Sequence, residues 1–286
     1  MKDRLLVVGN LAKDVIGGKE KYGGSAANLA LAAKGLGISV GIMSVFGKDE
    51  FSAKYRSFLI QHGVDLSLTP NSIERLPVCE VIFRDNSILS SIWHDNQCHS
   101  AMDEMEIGGG LKTDYDIVHL VSCPPSLAKR LASHKLKLTY ETGPMLIEDP
   151  SYFDKIVASF SLFIFMNKEE YQAALSYFKD PTLGIDNYQN LLALVITFGA
   201  EGIRVYQRNQ GRITALEFPQ VSVERVIDPT GAGDNFKAGF LVGFMRDRSI
   251  AECVQIGAEM GAACVMQEGG ILPKDVVFKI KEKHQL

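Results

Sequence analysis

The 286-residue sequence predicts an α/β protein built on a mostly parallel central sheet. Three observations carry that expectation. Short apolar runs alternate with amphipathic stretches along the chain, the pattern of a parallel sheet covered by helices. The composition, 46% hydrophobic and 22% charged, gives a chain of this length a large buried core. Three strand-like runs, SLFIFMN, LVITFG and RVIDPTG, end in polar or glycine-bearing turns, the place where open α/β sheets bind ligands. No repeat, low-complexity tract or linker divides the sequence, so one domain over 1–286 is expected.

RLLVVG reads as a first buried strand. From Ser25, the residues Ala26, Ala27, Leu29, Ala30, Ala33 and Leu36 recur at helical spacing, and Gly37 is placed to end that helix. ISVGIMSVFG follows as a strand. Asp49 then stands where it can cap a helix carrying Phe51, Tyr55, Phe58 and Leu59 as far as Gly63. Between about 74 and 96 the texture changes: VCEVIF and ILSSIW, joined by RDNS, read as a hairpin, either a lid or a plain edge hairpin. Alternation resumes with DIVHLV, LKLTYE and SLFIFM as strands, the last running into the helix of NKEEYQAALSYF. LALVITF leads through GAEG to a second hairpin, GIRVYQ and RITALEF, turned by RNQG. A helix after DPTGAGD and two more, around 250–266 and 273–283, complete the pattern.

The formal net charge of −4, without a lysine or arginine cluster, excludes a nucleic-acid partner, which needs concentrated positive charge. Cys79, Cys98, Cys123, Cys253 and Cys264 are widely spaced and form no CxxC pair, as expected of reduced packing residues in a cytoplasmic protein. The opening MKDRLLVVGN has too short an apolar run for a signal peptide, and FSLFIFM and LLALVI fall far short of a membrane span. His62, His99, His119, His134 and His284 share no metal-ligand spacing.

Asp228 to Asp234, DPTGAGD, is the most informative segment. It reads as a turn from a strand into a helix. Gly231 and Gly233 lack side chains, so backbone N–H groups can converge on one point where the helix dipole adds positive charge. Asp234 then faces the anion held there, where its carboxylate can accept a proton from a hydroxyl attacking phosphorus. The plainer reading is a glycine turn with an acid complementing the helix dipole. The other segments that could gather at the same end of the sheet tip the balance toward phosphoryl transfer.

The sequence resembles the ribokinase-type (PfkB) carbohydrate kinases from end to end. GGSAANLALAAKGLG is similar to the family's N-terminal signature and GKDEF to the segment after it. NKEE resembles its Asn-x-x-Glu element, TFGAEG its Thr-x-Gly-x-x-Gly loop, and DPTGAGDNFKAGF its C-terminal signature. YGGSAAN and FMNKEEY are most similar to the archaeal nucleoside kinases. The resemblance implies a three-layer α/β/α ribokinase-like fold with a small β lid, and transfer of phosphate from ATP to the 5′-hydroxyl of a nucleoside. A broad choice of base, covering cytidine, adenosine, inosine and guanosine, goes with it.

Carried over residue by residue, the resemblance makes Asp234 the general base and gives Gly231, Ala232 and Gly233 as N–H donors to the transferring group. Asn10, Asp14, Gly24 and Asn28 would bind the sugar, Asp14 accepting a vicinal diol. Asp14 as a solvated loop residue is the alternative. Thr197, Gly199 and Gly202, with Asn167, would line ATP, and Asn167 and Glu170 would hold Mg²⁺ through water. Asp228 and Thr230 match a site for a monovalent cation such as K⁺, with Asp228 as a simple loop brace the alternative. Trp93, His94 and Gln97 follow the hairpin and are candidates for contact with a base.

One departure bears on the lid. From Gly9 to Gly23 there is little room for the strand pair that usually precedes the Gly-Gly turn, so a reduced lid is expected, drawn from segments near 10–23 and 74–96 and mostly from the later hairpin. A second subunit covering the site through that hairpin would restore exclusion of water. The rival within the family is a kinase of ribose, fructose or a sugar phosphate, for which Lys13, Lys19 and Lys21 supply charge. The rival outside enzymology is a catalytically silent binding module.

Overall fold

The computed structural model describes residues 3–84, 87–108, 111–151, 153 and 160–286, which form two units, Met1–Glu106 with Ser222–Leu286, and Ile107–Val221. Strands β1 (Arg4–Gly9), β2 (Ala12–Ile16), β3 (Lys19–Gly23), β4 (Ser39–Met43), β5 (Phe46–Gly47), β6 (Asp65–Leu68), β7 (Asn71–Ile73), β8 (Val78–Arg84) and β9 (Ser87–His94) belong to the first unit. In it, β4 lies between β1 and β6, parallel to both. Leu5 to Val8 are wholly buried, as a strand covered on both faces requires. The expected strand ISVGIMSVFG is two pieces: after Met43 the chain leaves β6 and Phe46 bonds instead to Pro70, starting the short parallel pair β5–β7.

The hairpin near 74–96 forms, β8 antiparallel to β9, with Asp85 and Asn86 of its expected turn outside the described residues. It does not stand alone. β2 and β3 pair antiparallel and β2 runs parallel to β8, giving a separate sheet in the order β3-β2-β8-β9. The expectation that residues 9–23 leave little room for a strand pair is therefore corrected. Gly17 and Gly18, at φ 56° and 76°, reverse the chain in two residues, so the stretch from Ala12 to Gly23 holds both strands. Tyr22 stacks on Tyr55 at 4.3 Å and meets Phe51 and Phe58, anchoring this sheet to the capped Glu50–Gln61 helix. The Tyr55 hydroxyl donates to Gly23 O at 2.8 Å, which fixes the turn ahead of the Ser25–Gly35 helix.

In the second unit β10 (Ile117–Val121), β11 (Leu138–Glu141), β12 (Ser161–Asn167) and β13 (Ala193–Thr197) are parallel neighbours. β14 (Ile203–Asn209) and β15 (Arg212–Phe218) close that edge as the expected antiparallel hairpin. β12 passes into the Lys168–Phe178 helix without a loop.

The helices Ala232–Met245, Ile250–Val265 and Lys274–His284 return to the first unit. The run RVIDPTG that leads to them is not the strand the sequence suggested. Ile227 and Asp228 donate to Val265 O at 2.7 and 3.3 Å, taking up a carbonyl that the end of the Ile250–Val265 helix leaves unsatisfied. The helix end wins these donors from a sheet edge, and the approach to DPTGAGD is an extended loop.

Candidate active site

In the first unit the Ala232–Met245 helix opens at Gly231, which stands at φ 75° as its cap. A side chain there would lie 2.4 Å from Gly270 Cα, so only glycine fits both the conformation and the space. The Ala232 N–H closes the turn on Pro229 O at 3.2 Å, so one of the three expected donors is already engaged. Among the described residues no protein acceptor takes the Gly231 and Gly233 N–H groups, and they remain for an anion at a helix N-terminus.

Asp234 occupies the first turn of the helix and keeps 7% of its surface open. Asn28 Nδ2 donates to its Oδ2 at 3.0 Å, and Lys237 Nζ lies 3.2 Å from its Oδ1. Both carboxylate oxygens are therefore held, each with a further lone pair to offer. Asn28, buried in the Ser25–Gly35 helix, is gripped in turn by Gly270, where a Cβ would fall 2.4 Å from its amide nitrogen.

Asp14 is not a loop residue in solvent. It sits within β2, 5% exposed, and its carboxyl lies against Gly23, where any side chain would overlap Oδ2. Burial, then the charges of Asp234 and Asp228, push its acid up from 3.8 to about 7, with Lys21 acting the other way. Three carboxylates thus share one small region. Gly24, at φ 92°, lets the chain pass over Asn10 O and Ala12 N before the Ser25–Gly35 helix begins, and Asn10 is buried beside it. Asp228, wholly buried, accepts from Thr230 N at 2.9 Å and from Gly269 N at 2.8 Å. The brace reading of Asp228 therefore fits its geometry.

Across the small sheet, Lys21, Asp14, Cys79 and Trp93 form one row in register on one face. Trp93 is thus an exposed aromatic on the Asp14 side. His94 falls on the opposite face with Glu80, and Gln97 begins a short helix beyond.

The second unit carries the other expected set. Asn167 caps the Lys168–Phe178 helix in a capping box with Glu170, each side chain bonded to the other's backbone N–H. The buried Glu170 also accepts from Thr142 Oγ1 at 2.9 Å and Asn167 Nδ2 at 3.1 Å. With three donors on its oxygens, Glu170 fits a hydrated Mg²⁺ better than direct ligation. No group of three or more His, Cys, Asp or Glu among the described residues is arranged around a metal position. Thr197 ends β13, Gly199 stands at φ 59°, and a Cβ on Gly202 would lie 2.3 Å from Phe218 O. A groove of about 360 Å³ lined by Phe198, Glu201, Arg204, Glu217 and Phe218 adjoins them.

Two parts of this arrangement escaped the sequence reading. Lys237 is Asp234's partner at helical i,i+3 spacing, a signal present in DNFK, and Thr142 meets Glu170 only through the fold.

A carboxylate held at a helix start beside free N–H donors is chemistry for phosphoryl transfer, and comparison with known proteins agrees. The model for "pfkB family carbohydrate kinase" matches residues 3–276. The chain belongs to this family. It is a phosphotransferase with an alcohol group as acceptor. The nucleoside kinase of Methanocaldococcus jannaschii is 27% identical over 97% of this chain and 91% of its own length. The crystal structure of that protein, a ribokinase-family member, superposes with a TM-score of 0.81 over 99% of both chains. A nucleoside kinase of Burkholderia thailandensis in complex with inosine, 19% identical, gives a TM-score of 0.83 over 98% of both. These likenesses show the ribokinase-like fold of the kinase. The ATP-dependent ribose-1-phosphate kinase of Halopiger xanaduensis is also 27% identical, over 88% of this chain and 82% of its own. Family membership implies the use of ATP. No helix among the described residues is long and apolar enough to cross a membrane.

Proposed function

We propose that this kinase transfers the γ-phosphoryl group of ATP to the 5′-hydroxyl of a nucleoside, accepting cytidine, adenosine, inosine and guanosine. The observation that carries this reading is Asp234, held on both oxygens at the head of a helix whose Gly231 and Gly233 N–H groups meet no acceptor among the described residues. The 5′ O–H bond breaks as the new O–P bond forms, Asp234 takes the proton, and ADP leaves. Charge on the passing phosphoryl oxygens is met by the helix end and its N–H groups, since positioning and electrostatics do most of the work in such a transfer.

Asp14 accepts the ribose hydroxyls, with Asn10, Gly24 and Asn28 shaping the pocket around them. A diol is a good match for a crowded acid because it can donate to a carboxylate and accept from a carboxyl group. Trp93, on the same face as Asp14, offers an aromatic surface to a base. Thr197, Gly199, Gly202 and Asn167 serve the nucleotide. Asn167 and Glu170 would hold Mg²⁺ through water, and the ion would offset phosphate charge. Asp228 and Thr230 remain the positions for K⁺, tested by replacing K⁺ with Na⁺ in the assay.

The sugar-phosphate alternative asks for free cations near the acceptor. Of the three lysines named for it, Lys21 is paired with Glu268 at 2.9 Å and Lys13 with Glu20 at 2.7 Å, while Lys19 is exposed; the two pairings favour an uncharged acceptor. The decisive assay is ADP release with cytidine, adenosine, inosine, guanosine, ribose, fructose and ribose 1-phosphate. Turnover of sugars alone would end the nucleoside reading. Asp234→Asn should lower kcat by roughly 100- to 10,000-fold while nucleoside binding stays measurable, and an unchanged rate would remove Asp234 from the chemistry. Activity of any kind rules out the silent module. The reading includes cytoplasmic location, in keeping with five free cysteines, and a second copy of the chain against the small sheet, where Ile82 and Ile92 are exposed. A monomeric sedimentation profile at working concentration would remove the dimer.

A further inference from the structure

The helix that presents Asp234 carries a second buried ionisable group to which neither the motif nor the family match gives a role. Lys237 is 4% exposed, one helical turn after Asp234, and its ammonium faces the Asp234 carboxylate with side chains 6% and 9% exposed. Lysine is almost never buried to this extent unless paired, because taking an ammonium out of water is costly. A core helix position of this kind ordinarily holds Leu or Met.

The surroundings explain what a cation does there. From β2 comes the carboxyl of Asp14, and from the loop before the helix the carboxylate of Asp228. The Ile250–Val265 helix brings the Cys264 thiol, which burial, then Asp234 and Asp228, push up to about 12. The Ser25–Gly35 helix contributes the neutral amide of Asn28, and Lys21 of β3 acts on Asp14 while bonded to Glu268. Asp14 thus feels both Asp234 and Asp228, and among the described residues Lys237 is the cation in direct contact with Asp234. Repulsion alone would swing the acid away from its neighbours. Lys237 on Oδ1 and Asn28 on Oδ2 fix it instead in one orientation.

We infer that Lys237 is a positioning residue for phosphoryl transfer: its ammonium holds Asp234 Oδ1 so that the carboxylate meets the acceptor hydroxyl in a reactive geometry. This rests on the assignment of Asp234 as the base. The rival role, direct contact of Nζ with the phosphoryl group, is raised by its nearness to Gly233, whose Cβ position would be 3.9 Å away. The two roles differ in one measurable respect. A residue that acts through Asp234 has nothing left to do once Asp234 is gone.

The experiment is a double-mutant cycle in the full chain, with initial rates measured on ATP, Mg²⁺ and the fastest nucleoside of the panel. Lys237→Met is expected to lower kcat about 100-fold with nucleoside KM within about threefold, and Lys237→Arg to recover activity to within about tenfold of wild type. In the Asp234→Asn background, Lys237→Met should change the residual rate by less than about twofold. Multiplicative losses in the double variant would overturn the inference in favour of direct phosphoryl contact. A wild-type kcat in Lys237→Met, or an effect confined to KM, would overturn it as well. Wild-type activity in Asp234→Asn would instead remove the base, and the positioning role with it. If Lys237→Met loses its thermal transition, Lys237→Gln is carried through the same cycle with the same expected non-additivity.

Discussion

Asp14→Asn removes a negative charge from a strand position that burial and two neighbouring acids make hostile to charge. The side chain keeps its shape, so the effect isolates ionisation. The Asp14 acid is raised from 3.8 to about 7, chiefly by burial and then by Asp234 and Asp228. Between those two values the unfolded chain ionises Asp14 while the folded chain keeps the proton. Folded protein then binds more protons than unfolded, so wild-type stability falls as pH rises from about 4 to about 7. A gap of roughly three pH units at about 1.4 kcal/mol per unit gives a penalty of up to roughly 4 kcal/mol above pH 7, fully absent below about pH 4. Asn cannot ionise and escapes it. Thermal and urea melts of both proteins, run from pH 4 to pH 8 without ligand, should coincide at the acid end and diverge through the interval, the variant melting roughly 10 °C higher at pH 8. Function moves the other way. Losing a charged partner for the ribose hydroxyls should raise nucleoside KM roughly 10- to 100-fold, so ligand-induced stabilisation shrinks in the variant. A stability difference that is the same at pH 5 and pH 8, or a variant that is less stable throughout, would refute the reasoning.

Gly231→Ala combines a left-handed backbone with a Cβ 2.4 Å from Gly270 Cα, and should cost at least about 2 kcal/mol in urea melts along with most activity. Glu170→Gln keeps a side-chain acceptor for the capping box but loses the charge expected to hold hydrated Mg²⁺. It should therefore raise the Mg²⁺ concentration for half-maximal rate several-fold with a melting temperature within a few degrees of wild type.

Much of the small-sheet assembly could not be read along the chain. Hydrophobic alternation showed β8 and β9, because both strands are long and a polar turn separates them. It missed β2 and β3, five residues each, where AKDVI and KEKYG carry too few apolar residues to declare a period. Their pairing is fixed by the tight turn at Gly17 and Gly18 and by Tyr22 docking on an aromatic helix face, a contact that is not local in sequence. RVID misled in the opposite sense. Its apolar pair looks like a strand, yet a helix carboxyl end more than thirty residues downstream claims its N–H groups.

The sequence by itself determined the grouping of Gly231, Gly233 and Asp234: they lie within one turn of chain, so covalent connection and helix geometry guarantee it. It likewise determined the capping box of Asn167 and Glu170, three residues apart on one helix. Only the tertiary structure decided how the charges are shared. Asp14 reaches the neighbourhood of Asp234 from the other end of the chain and is made a weaker acid, first by burial and then by that neighbour, Asn28 clamps one oxygen, and Asp228 is turned toward Gly269. Electrostatic energy depends on distance and burial, quantities that no spacing of residues along the chain can set.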